Sequence, residues 1–196
     1  MGKENKDIDS GLFNAAWGYF FLHFDFNLNN ISIFPRFVGW LLLLSACTKL
    51  SGQHMDLVLL RPLVILLVVW HGLDWLLSWG GGDLVGYILF MDLLIATAGL
   101  YFHFQFLTDM AALAERYHPE DTGLNGQLRR LRTVYVVVIT LLSLPRDLLA
   151  ALPEHWVEWV VMGMVLAALI VAFLIMAALF RLRQCFREEE TEQTVV

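Results

Sequence analysis

The sequence predicts an all-α fold: a polytopic transmembrane helix bundle of six spans with both termini cytoplasmic, in which three hairpins read as parallel repeats. Three observations carry that expectation. Of the 196 residues, 58% are hydrophobic and 16% charged, against about 25% charged in a soluble domain. The apolar residues come in long blocks instead of alternating with polar ones. The basic residues fall almost entirely on one side once those blocks are treated as spans.

A hydrocarbon core of about 30 Å takes roughly 20 apolar residues as helix. The polar decapeptide "MGKENKDIDS" predicts a cytoplasmic tail over 1–10 with no cleavable signal peptide. Six spans follow within a transmembrane domain of 11–180, at about 11–28, 35–50, 57–79, 84–107, 133–152 and 156–180. The second is short, with Pro35 at its first turn, a position that tolerates the missing N–H. The third holds "WHGLDW", Trp70 to Trp75. "SWGGGD" then forms a tight turn into the fourth. The link 108–132 is the one long connection. Its start, "TDMAALAERY", extends span four as helix, "HPEDTGLNG" breaks it, and "QLRRLR" leads into span five. Span five runs through Pro145, which predicts a kink. The tail 181–196 begins as an Arg-rich anchor and ends as a disordered acidic peptide.

With the N-terminus inside, Lys3, Lys6, Lys49, Arg61, Arg116, Arg129, Arg130, Arg132, Arg181, Arg183 and Arg187 all fall on the inner side. Only Arg36 and Arg146 fall outside, so the positive-inside bias supports an even number of spans. The spans also echo one another. "FVGWLLLL" at 37–44 and "LVGYILFM" at 84–91 each follow a span whose outer end carries His and Asp, "HFD" at 23–25 and "HGLD" at 71–74. Gly39 and Gly86 then become candidate helix contacts, since glycine lets backbones approach closely in lipid.

Ionisable groups inside a membrane are costly, so their depth matters. His23 and Asp25 close span one. His71 and Asp74, at i and i+3, share a face of span three. Asp92 lies two turns into span four. Arg146 and Asp147 lie in the outer part of span five, and His155 and Glu158 open span six. His103, toward the inner end of span four, is the exception to this outward clustering. The ligand-binding or ion-relay candidates are therefore His71, Asp74, Asp92, His23, Asp25, Arg146 and Asp147. Imidazole with carboxylate suits a divalent metal ion, a protonatable relay or an amine-bearing solute. The metal candidates are His23, His71, Asp74, His155 and Glu158. The alternative is structural: such groups can reach water at the interface or tie two helices together.

No basic patch for nucleic acid is present. Cys47 and Cys185 form no metal or disulfide pattern. No G-x-S-x-G, H-E-x-x-H, Walker or dinucleotide motif occurs, so no catalytic residue is assigned. Three functions stay open. One is binding or transport of a small solute or ion through an outward-facing His/Asp-lined cavity. Another is a non-catalytic partner or sensor subunit acting through the link and tail. The third is a hydrolase assembled from the His/Asp cluster.

The first hairpin, "FLHFDFNLNNISIFPRFVGWLLLLSACTKL", resembles a family of small uncharacterised bacterial multi-span membrane proteins. There an aspartate and an asparagine close span one and P-x-F-[IV]-G-[YW] opens span two. The matching residues here are Asp25, Asn27, Pro35, Phe37, Val38, Gly39 and Trp40, with Arg36 where an acid is expected. The resemblance covers about 30 residues and implies a bacterial plasma (inner) membrane protein of no known activity. In size, span number and cytoplasmic termini the chain also resembles the S subunits of energy-coupling factor transporters. That likeness implies an outward pocket and a coupling subunit as partner, besides the lipid bilayer, with Gly11, Ala15, Ala16 and Gly18 facing that subunit.

Overall fold

In the computed structural model the residues described are 3–24, 27–28, 31–32, 35–53, 56–79, 82, 89–117, 123–143 and 154–195. Among them the chain forms six helices: α1 (Lys3–His23), α2 (Arg36–Leu50), α3 (Asp56–Ser78), α4 (Leu89–Tyr117), α5 (Leu124–Leu142) and α6 (Glu154–Val195). A minimal antiparallel ladder, β1 (Asn27–Leu28) with β2 (Ile31–Ser32), sits between α1 and α2. The fold is all-α in its substance.

Each helix packs on its neighbours in the chain, and α6 returns to α1, so the six close into a ring. The first crossing is tight because it is built from glycines. A Cβ on Gly39 would lie 2.9 Å from the backbone N of Leu22 and 3.0 Å from the carbonyl O of Gly18. Further along, Gly11 meets Leu50. Low numbers of α1 thus face high numbers of α2, and the pair runs antiparallel. Asn14 donates to Ser45 across the same interface at 2.9 Å, a polar tie of the kind helices use in lipid. The ring is clasped where α1 begins and α6 approaches its end: Arg183 grips Asp9 through two bonds of 2.8 and 2.9 Å and lies over the Phe13 ring.

Helix ends differ from the expected spans in three places. α1 starts at Lys3 and stops at His23, before the Asn-rich stretch that favours turns over helix. α5 starts at Leu124, inside the segment expected as a link over 108–132. There Leu124, Leu128 and Leu131 are buried at i, i+4 and i+7, so an amphipathic period hides in a polar-looking stretch. α6 continues to Val195, through the tail expected to be disordered. "RLRQCFREEE" is made almost wholly of strong helix formers, which prolong a helix already nucleated.

Three helices are long and apolar enough to cross a membrane: Asp56–Ser78, Phe90–Tyr117 and Trp156–Arg187. They are apolar all round. On α3, Leu57, Leu60, Val64 and Leu67 face inward, while Leu59, Ile65, Val69 and Leu76 are exposed. α6 likewise exposes Trp159, Met162, Leu166 and Ile170. Such a surface suits hydrocarbon and is far larger than a soluble monomer leaves in water.

Candidate functional site

The starts of α1, α3 and α5 and the ends of α2, α4 and α6 share one end of the bundle. Arg61 of α3 reaches Thr48 of α2 and Ser51 just past its end there, and Arg129 of α5 pairs with Glu115 of α4 at 2.7 Å. The same region buries a carboxylate that falls within the expected link 108–132. Asp109 is 1% exposed and accepts from Gln105 Nε2 at 2.9 Å. Tyr117 closes the corner by bonding Gln53.

The candidate site lies toward the other end. Two adjoining chambers, of about 530 and 340 Å³, open between the helices. Both are lined by Arg36 and Trp40 of α2, His71 of α3, His103 of α4, Tyr135 of α5 and Ser143 just past its end. His23 of α1 lines only the larger and Asp92 of α4 only the smaller. Five helices thus deliver their polar groups to one space.

The imidazoles are held by an aromatic frame. Trp40 stacks parallel to His71, with centroids 6.1 Å apart, and tilts against His103 at 5.3 Å. Tyr135 meets His103 and His23 edge to face at 4.9 and 5.5 Å. Tyr19, wholly buried, touches His23, His103 and Tyr135. Two ring nitrogens of His23 are spoken for. Its Nδ1 lies 2.9 Å from the Tyr19 carbonyl O and its Nε2 lies 3.0 Å from Tyr135 Oη. A carbonyl only accepts, so Nδ1 carries the proton and neutral His23 accepts the Tyr135 hydroxyl at Nε2.

The expected residues sort as follows. His23, His71 and Asp92 line the cavity. Asp74, half-buried one turn beyond His71, lines neither chamber. Glu158 is exposed on α6. Asp25, Arg146, Asp147 and Gly86 lie outside the described residues, as does the His155 side chain. His103, expected apart from the cluster, belongs to it. The cavity reaches as deep along α4 as His103, and α4 itself runs on to Tyr117 as the helical reading of "TDMAALAERY" predicts. Among the described residues, no three His, Cys, Asp or Glu side chains group so as to hold a metal ion.

Tyr19 and Tyr135 were not singled out, and Arg36 and Trp40 figured in the sequence for topology and the hairpin motif and not as named site residues. A signal existed for the tyrosines, because a phenol deep in an apolar helix needs a hydrogen-bond partner. No protein family, no curated protein and no solved structure matches this chain.

Proposed function

We propose that the chain crosses the membrane six times, with both termini on the cytoplasmic side, and binds a small polar solute or ion in the cavity facing the other side. The observation that carries this is the convergence of His71, His103, His23, Arg36 and Asp92 on one cavity from four helices. Polar side chains brought together in a membrane bundle mark a ligand or ion path, and a concave, aromatic-walled space with a few polar groups is how small solutes are held. The three long apolar helices support membrane insertion. Orientation rests on the basic residues gathered at the cytoplasmic end, and the hairpin resemblance is the support for a bacterial inner membrane.

His71 is the group most available to a ligand. It lines both chambers and, among the described residues, has no hydrogen-bond partner. The test is thermal unfolding of the full chain in detergent against divalent cations, amino acids, amides and small organic acids. At least one compound is expected to raise the Tm of the parent, and His71→Leu is expected to fold and lose that response. A panel without effect, or a His71→Leu variant that responds like the parent, overturns the proposal.

A further inference from the structure

The two hydrogen-bonded histidines present opposite faces of the same chemistry. The Tyr19 hydroxyl is sealed in the core at 0% exposure, and His103 Nδ1, 3.1 Å away, is its one partner among the described residues. A sealed hydroxyl proton needs an acceptor. Tyr19 therefore donates to Nδ1, and neutral His103 carries its own proton on Nε2. His103 is 5% exposed and lines both chambers, so Nε2–H is the donor it can offer a ligand. Tyr135 is the mirror case. Its proton is turned toward His23 Nε2, which leaves the phenol oxygen as an acceptor. The His103 and Tyr135 rings stand edge to face with centroids 4.9 Å apart. A donor and an acceptor thus sit on neighbouring rings that line the same two chambers.

Resting on the solute-binding function above, we propose that this pair reads an uncharged amide-type edge, a primary amide or a lactam. His103 Nε2–H donates to the ligand carbonyl and Tyr135 Oη accepts from the adjacent N–H. His23 is a positioning residue: it sets which way the Tyr135 proton points. A carboxylate offers only acceptors and a tertiary amide has no N–H, so both leave Tyr135 Oη unmatched, the kind of mismatch on which polar sites discriminate.

Two experiments on the full chain in nanodiscs test this. The first is ¹⁵N NMR of histidine-labelled protein, with the His103 signals assigned by their loss in His103→Asn. Protonated Nε2 with bare Nδ1 is expected. The reverse tautomer overturns the amide-edge inference and leaves the solute-binding proposal standing. The second compares benzamide, N,N-dimethylbenzamide and benzoate by saturation-transfer NMR. Benzamide is expected to bind about fivefold better than the other two, the ratio one ordinary hydrogen bond supplies. Equal binding of all three, or binding of none, overturns the inference. His23→Phe keeps the ring and frees the Tyr135 proton. It is expected to erase the preference for benzamide and to improve binding of N,N-dimethylbenzamide and benzoate. A His23→Phe variant that folds with the parent's order of preference removes His23 from the positioning role.

Discussion

His23 uses both ring nitrogens, one on the Tyr19 carbonyl and one on the Tyr135 hydroxyl, and this makes α1 and α5 depend on each other across the ring. Removing the hydroxyl in Tyr135→Phe leaves a buried imidazole nitrogen without its donor. The expected loss is about 1 kcal/mol, the scale of one hydrogen bond between helices in a bilayer, measured by denaturant unfolding in detergent. Adding His23→Leu to that variant should cost less than the two single losses combined, because the partners share one interaction. Full additivity would show the bond to be absent. At this scale the sequence was only partly legible. His71 and Asp92 announce themselves as ionisable groups among leucines. The roles of Tyr19 and Tyr135 depend on contacts between residues far apart in the chain, and no periodicity encodes those.

The α1–α2 crossing is where an element-level change is most sharply constrained. Gly39→Ala would force a methyl to within 2.9 Å of the Leu22 backbone N and 3.0 Å of the Gly18 carbonyl, and backbone cannot rotate away as a side chain can. The expected cost is about 1–3 kcal/mol, as for overpacking elsewhere. Gly72, in the middle of "WHGLDW", has nothing within 4 Å of a built Cβ, so Gly72→Ala should be neutral or raise stability by up to about 1 kcal/mol through helix propensity. Thermal melts of the two variants should therefore move in different directions, and a Gly39→Ala protein as stable as its parent would mean the helices are not so close. Gly39 was expected as a helix contact from the "FVGW" start of span two, and it packs against Leu22 and Gly18. Gly18 and Gly11, which make the same crossing, were expected to face a partner subunit and instead pack on α2 within the chain. The start of α5 was misread for a different reason: Arg129, Arg130 and Arg132 mask the leucine stripe beneath them.

The molecule as a whole is a ring of helices in chain order. That order is invisible in the sequence, since every apolar block can pack against any other. The proposed orientation has a direct check. Cys185, half-buried on α6, should react with a membrane-impermeant maleimide only after cells are permeabilised. A Ser143→Cys variant lacking Cys185 should react in intact cells, because Ser143 lines the cavity at the opposite end. The reverse pattern would invert the topology. One dimension of the ring has a consequence for the lipid around it. The 15 residues of α2 make a rod of about 22 Å, while the hydrocarbon layer is about 30 Å thick. In the proposed six-span arrangement, a mismatch of about 8 Å would make the bilayer pucker inward beside α2. Arg36 in the first turn, lining both chambers, would then meet bulk water at a depth where the neighbouring helices are still in oil. A local dimple of this kind would shorten the approach to Trp40 and His71 without any moving part.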